Sequence, residues 1–341
     1  PSNTRTPINH RRKPLIRNET MKIRDYTLIF GVFLTGMIVG RQYNLGSYSK
    51  AASSATDEGK KEHSDNDGDD DDDVELLLPS FTDLVNASGS DKFFHHHYEH
   101  YYERVLPQYR HRPGLKFLEV GADSGKSIDL WDNYFTNPEL IVGLAYKNVP
   151  QMSVVSAGKR PNSTVEIVYG DQSKKATMDQ LATMGPWDII IDDGSHVPQH
   201  VMYTFTELWK AVKRGGYYII EDLETSYWLA GSEIYGYYLN GTGFDANPRY
   251  NVVQYMKQLV DVLIRRQVNA EELSIMDGDD ELCSIEFGYN IMFLRKCGDE
   301  DSPPPAFSSW RPIDRERLNV WMEKAKSTHP KKDAEGDLII D

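Results

Sequence analysis

The sequence predicts an α/β domain built on a doubly wound, mostly parallel sheet that closes with an antiparallel hairpin. Three observations carry this. Strand-like and helix-like runs alternate from Leu115 to Glu221, the pattern of parallel strands joined by crossover helices. Ile189, Ile190 and Ile191 are continuously apolar, as a strand covered on both faces must be. That run ends abruptly in Asp192, Asp193, Gly194, Ser195 and His196, and open α/β sheets bind ligands beyond the carboxyl ends of their strands.

Each element has its own signal. The strand-like runs are Lys116–Val120, Leu140–Leu144, Val165–Tyr169, Asp188–Asp192 and Tyr217–Glu221, with helical stretches such as Lys126–Trp131 and Val197–Val212 between them. If the latter is a right-handed crossover, the strands ending at Asp193 and Glu221 are neighbours. A last pair, Cys283–Phe287 and Ile291–Arg295, is separated by Gly288, Tyr289 and Asn290 and reads as the closing hairpin. Ahead of the sheet, Asp91 to Leu106 reads as one aromatic-faced helix. Its His95, His96 and His97 suggest metal at first sight, but consecutive helical residues point in different directions. Partial burial and surface is the better reading. Residues 79–298 form the expected catalytic domain, and 299–341 a proline-rich, charged tail that wraps the surface or stays disordered.

The N-terminal residues differ in kind. Residues 1–25 are basic, 26–40 carry no charge, and 41–78 hold the acidic run from Asp65 to Asp73, a self-repelling stalk. The apolar run is short for a membrane span of about 20 residues, and no clear cleavage site follows it. Basic residues on its N-terminal side predict a single-pass signal anchor, with the catalytic domain in the ER or Golgi lumen. A cleaved signal or organellar presequence is the alternative. Sequons at Asn86, Asn162 and Asn240 agree with a lumenal glycoprotein. The first residue, Pro1, suggests a fragment or a start at Met21. The net charge of −14 argues against a nucleic-acid partner. Cys283 and Cys297 are the only cysteines, either plain core thiols or a single bridge.

Two motifs carry chemistry. After the first strand comes Glu119-Val-Gly121-Ala-Asp-Ser-Gly125-Lys126-Ser127. Glycines let a backbone turn tightly and approach a ligand, and the following helix presents N–H groups. The spacing is wrong for a phosphate-binding Walker loop and for a dinucleotide fingerprint. An acid followed by G-x-x-x-G is instead the pattern of S-adenosylmethionine (SAM) methyltransferases, with a purely structural turn as the bland alternative. The second motif, Gly215-Gly216-Tyr-Tyr-Ile-Ile220-Glu221-Asp222, ends a strand in two acids. Adjacent strands lie about 4.8 Å apart, so Asp193, Glu221 and Asp222 can converge on one hard cation such as Mg2+. Otherwise they are solvated loop ends or helix caps.

Together, Ile191-Asp-Asp-Gly-Ser-His196 and Gly215-Gly-Tyr-Tyr-Ile-Ile-Glu-Asp222-Leu-Glu-Thr-Ser-Tyr227-Trp228 resemble the metal-dependent sugar O-methyltransferases of macrolide biosynthesis, of the mycinamicin kind. Asp91-Lys92, His96-His-Tyr98, Leu118-Glu-Val-Gly121, Leu130-Trp-Asp-Asn-Tyr-Phe135, Gly170-Asp-Gln-Ser173 and Phe287-Gly-Tyr-Asn-Ile-Met-Phe-Leu-Arg-Lys296 support the likeness. It implies a class I, Rossmann-like SAM methyltransferase fold. It implies Mg2+ held by Asp193, Glu221 and Asp222, with His196 as general base. Glu119, Gly121 and Asp171 would hold SAM, with Gly125, Gln172 and Asp192 beside them in the cofactor set. The acceptor would be a sugar on a glycosylated small molecule or glycan. One position departs: where the family carries an acid for the cofactor ribose, this chain has Ala145.

Two other readings compete. A Golgi-type glycosyltransferase shares the anchor, stalk and acidic metal site. A methyltransferase-like binding module that lost its cofactor has Ala145 as its clue. The aromatic insertion from Tyr227 to Tyr255 fits a lid over a sugar as well as it fits core packing or a homo-oligomer contact.

Overall fold

The computed structural model describes residues 78–147, 164–301 and 313–340. All described residues belong to one compact unit.

Helices α1 (Phe81–Ser88), α2 (Asp91–Phe94), α3 (Glu99–Val105) and α4 (Pro107–Arg110) precede the sheet. The alternation that follows is β1 (Leu115–Val120), α5 (Lys126–Tyr134), β2 (Pro138–Ala145), β3 (Thr164–Tyr169), α6 (Lys175–Met184), β4 (Trp187–Asp192), α7 (Pro198–Leu208) and β5 (Val212–Ile220). Then come the small hairpin β6 (Glu233–Ile234) and β7 (Tyr237–Tyr238), helix α8 (Val252–Leu263), and strands β8 (Leu282–Phe287) and β9 (Met292–Lys296). Helix α9 (Arg315–Lys326) and the pair β10 (Lys331–Lys332) and β11 (Leu338–Ile339) end the described chain.

The seven-stranded sheet has the order β3-β2-β1-β4-β5-β9-β8. β3 to β5 run parallel, while β9 is antiparallel to both β5 and β8. Side chains alternate between faces along each strand, and this divides the core. Leu118, Ile190 and Tyr218 pack with α6, α7 and α8 on one face. Phe117, Ile189, Ile191 and Ile219 pack with α1, α3 and α5 on the other. The expected doubly wound sheet with its antiparallel closing hairpin is therefore the observed one. Cys283 and Cys297 form a disulfide across that hairpin. Of the C-terminal tail, residues 313–340 fold back on the domain, where Ala325 and Leu338 join the first core and the Tyr203 hydroxyl donates to the Gly336 carbonyl at 2.7 Å.

Two sequence expectations change. The helix expected from Asp91 to Leu106 is broken between α2 and α3, with His97 in the left-handed region at φ 54°. The break lets Lys92 and Tyr98 both point inward, and each is fully buried. Second, no helix among the described residues is long and apolar enough to cross a membrane. The helices α8 and α9 have 12 residues each, where a span needs about 20. The apolar run 26–40 itself lies outside the described residues.

Candidate active site

The ends of β1, β2, β4 and β5 border a cavity of about 680 Å³, lined among others by Gly121, Ala145, Asp171, Gln172, Asp193, His196 and Asp222. Gly121 is there for a close approach of backbone to backbone. Its φ is 105°, and a Cβ added to it would lie 1.9 Å from the Asp193 carbonyl oxygen. The turn after β1 and the turn after β4 thus sit against each other, tied by the Asp193 N–H donating to the Val120 carbonyl at 2.8 Å. Gly125 caps α5 in the left-handed region at φ 81° and brings no side chain to the first-turn N–H groups, which keeps them for an anionic or polar ligand.

Asp193, His196 and Asp222 each offer a ligand atom within 4.8 Å of the others, a spacing that could hold a metal ion. His196 Nε2 lies 3.5 Å from Asp222 Oδ2 and 4.0 Å from Asp193 Oδ1. Both His196 (φ 56°) and Asp222 (φ 54°) occupy the left-handed region, a conformation that costs energy and gathers at functional sites. Asp222 is steadied by the Tyr98 hydroxyl, which donates to Oδ1 at 2.7 Å, and by Asn290 Nδ2 at 3.3 Å. His96 Nδ1 also comes within 3.3 Å of Asp222 Oδ1, so one member of the histidine cluster reaches the site after all.

Lys92 is the residue that sequence reasoning missed. Fully buried, it donates to Asp193 Oδ2 at 2.7 Å and to both oxygens of Glu221 at 2.8 Å, and lies 3.3 Å from Glu119 Oε1. Burial opposes its charge, but Asp193, Glu221 and Glu119 outweigh burial and hold its pKa well above the usual lysine range. The Tyr102 hydroxyl also donates to Glu221. Three carboxylates (Glu119, Asp193 and Glu221) therefore share one ammonium, and Asp222 lies beyond its reach. Burial and the neighbouring Asp193 raise the pKa of both Glu221 and Asp222, with Lys92 opposing at the first and His196 at the second. A divalent cation would relieve that excess of negative charge.

The remaining expected residues fall into two groups. Asp171 and Gln172 line the cavity, but Gln172 also holds the turn after β4: its Oε1 accepts from the Ser195 N–H at 2.8 Å, and its Nε2 donates to Thr204 at 3.1 Å. Glu119, Asp192 and Glu221 are buried behind the wall. Glu119 accepts from the Ser127 hydroxyl at 2.5 Å and Asp192 from the Tyr218 hydroxyl at 3.1 Å. Burial pushes the Asp192 carboxyl up to about 7. His200, which no sequence motif singles out, lines the cavity with Nδ1 at 2.7 Å from Ser195 Oγ. Burial lowers its pKa to about 4, and its Nε2 has no hydrogen-bond partner among the described residues.

No family model matches the chain. It is 31% identical over 228 residues to the 8-demethyl-8-alpha-L-rhamnosyl tetracenomycin-C 2'-O-methyltransferase of Streptomyces olivaceus, covering 64% of this chain and 55% of that one. It is 26% identical to the mycinamicin VI 2''-O-methyltransferase of Micromonospora griseorubida, covering 70% of this chain and 57% of the relative. Among solved structures, the MycE methyltransferase of the mycinamycin pathway, in complex with Mg and SAH, superposes with a TM-score of 0.56 at 25% identity over 72% of this chain and 60% of that one. The fold is that of the class I SAM methyltransferases. Within that class the homologues of this chain are sugar O-methyltransferases of macrolide and tetracenomycin pathways. The chain spans about half the length of these curated relatives.

These relatives, bacterial biosynthetic enzymes, also correct the expectation of a membrane-anchored glycoprotein in an ER or Golgi lumen. No described helix is long and apolar enough to cross a bilayer. The membrane, signal-anchor and glycoprotein readings are withdrawn, and with them the Golgi-type glycosyltransferase.

Proposed function

We propose that the chain is a SAM- and Mg2+-dependent O-methyltransferase acting on a sugar hydroxyl of a glycosylated acceptor. One observation carries the reading. The ligand atoms of Asp193, His196 and Asp222 converge in a cavity that also contains the glycine turn before α5.

The residues fit both groups. Asp193 and Asp222 offer hard oxygen donors, the kind Mg2+ takes. Glu221 can join them by giving up one of its two contacts with Lys92. Gly121, Asp171, Gln172 and the first turn of α5 would hold SAM, and the unpartnered Nε2 of His200 offers a further polar contact. When bound, Mg2+ supplies positive charge that acidifies a coordinated hydroxyl, and SAM supplies an electrophilic methyl group.

This chain's residues do the rest. His196, of the side-chain type that exchanges protons near neutral pH, takes the acceptor's proton, an assistance typically worth about 10²–10⁴-fold. Asp222, 3.5 Å away, orients the imidazole and stabilises the positive charge it gains. Lys92 and Gly121 position Asp193. The cavity walls align the hydroxyl and methyl donor, and alignment supplies much of the rate.

A second reading has one observation behind it: Ala145 stands at the cavity edge where the resemblance expects an acid, consistent with a binding module that lost its cofactor. Calorimetry with SAM, with and without Mg2+, separates the two. The enzyme reading expects SAM binding at micromolar concentration. Absence of SAM binding with Mg2+ present rejects it in favour of the module.

A further inference from the structure

The small hairpin β6–β7 carries a local conflict between sequence and backbone. Ile234 pairs with Tyr237 and Glu233 with Tyr238, leaving Tyr235-Gly236 as a two-residue loop. Both have positive φ, 50° and 88°, which defines a type I′ turn. Asn-Gly and Asp-Gly favour that turn, whereas a bulky residue in its first central position is strained. Tyr235 cannot offset that strain through the core, because it is 74% exposed. A tyrosine kept at such a cost, with so little burial, points to a role outside folding.

Its position says which. Tyr235 lines the cavity at the Asp193, His196 and Asp222 end, with its ring centroid 6.3 Å from that of His196. Tyr237, two residues on, serves the other end, with its ring edge-on to His200 at 4.7 Å. The hairpin thus presents one ring to the proton-accepting half of the cavity and one to the cofactor half.

We infer that Tyr235 is the platform on which the acceptor sugar stacks, and so a determinant of acceptor affinity; this rests on the sugar O-methyltransferase reading. A hydroxyl held at His196 places the rest of its pyranose ring beside Tyr235. The C–H face of a pyranose packs on an aromatic face, as apolar groups do on ring systems.

The test compares wild type with Tyr235→Asn and Tyr235→Phe, using p-nitrophenyl glycosides of rhamnose, glucose and galactose as acceptors with SAM and Mg2+. Tyr235→Asn restores the favoured Asn-Gly turn and removes the ring. It is expected to raise Tm by about 2–4 °C and to raise the acceptor KM about five- to tenfold. kcat and SAM affinity should stay within about twofold of wild type. Tyr235→Phe keeps the ring and should keep both the wild-type KM and the wild-type Tm. An unchanged KM in Tyr235→Asn overturns the inference alone, as does an equal KM loss in Tyr235→Phe or a lowered Tm in Tyr235→Asn. Wild-type protein that methylates none of the glycosides overturns the inference together with the reading it rests on.

Discussion

Replacing Lys92 with methionine tests the electrostatic frame of the site. The substitution keeps an unbranched side chain one atom shorter and removes the ammonium that touches Asp193, Glu221 and Glu119 at 2.7, 2.8 and 3.3 Å. At an effective dielectric of about 20, each contact is worth about 5–6 kcal/mol before other effects are counted. Several kcal/mol of that is offset by the cost of dehydrating the lysine, and more is recovered when a buried carboxylate takes up a proton. Removing one partner of a buried ionic group typically costs about 3–5 kcal/mol net. For a domain of this size that is a Tm lower by about 10 °C. Thermal denaturation of both proteins, with and without Mg2+, measures it. Mg2+ should raise the Tm of Lys92→Met more than that of wild type, because the ion supplies charge the lysine supplied. If the single variant does not fold, Lys92→Met/Glu221→Gln should, since removing both partners leaves less buried charge. A single variant within about 2 °C of wild type, equally responsive to Mg2+, refutes the reasoning.

Other outcomes follow from the same geometry. Asp193→Asn should weaken Mg2+ binding by at least about tenfold in a calorimetric titration; an unchanged titration removes it from the ligand set. His196→Ala should lose about 10²–10⁴-fold in rate while Mg2+ affinity stays within about threefold of wild type; full rate with metal bound rejects the base role, and lost metal makes it a ligand. Gly121→Ala should destabilise the domain by about 3 kcal/mol or more, since its Cβ would overlap the Asp193 carbonyl; a near-wild-type Tm contradicts the packing of the two turns. Asp192 sets a pH dependence. Its folded pKa of about 7 lies above the ordinary 3.8, so its contribution to stability is fully present below about pH 4 and is lost as pH rises through 7. At about 1.4 kcal/mol per tenfold in proton affinity, the loss is about 4 kcal/mol. Asp192→Asn should therefore be more stable than wild type at pH 8, with the gap closing toward pH 4, by denaturation at both pH values.

What the sequence made legible was whatever depends on local pattern. Apolar runs ending in acids marked β4 and β5, and their neighbouring positions brought Asp193 and Asp222 together with His196. The same locality explains one omission. Gly121 lines the cavity as a ligand-admitting glycine would, but it also admits the Asp193 carbonyl, a contact that no window around Gly121 contains. The roles of Glu119 and Asp192 also depended on depth, because strand-end acids look alike in sequence whether they face the cavity or stand behind it.

Lys92 shows why the rest stayed hidden. It lies 101 residues from Asp193 and 129 from Glu221, in a stretch whose aromatics suggest an unbroken helix. Only the break between α2 and α3 turns it inward, and only the assembled sheet gives it partners. Yet the acids contained a clue. Carboxylates at the ends of adjacent strands repel one another, so their convergence demands positive charge from somewhere. A metal was the obvious supplier, but an ion held at Asp193 and Asp222 leaves Glu119 behind the wall without a counter-charge. Glu119, buried and outside the cavity lining, needs a cation of the protein's own. The site thus divides its neutralisation: a fixed ammonium serves the buried acids, and the excess charge facing the cavity is left for an exchangeable ion.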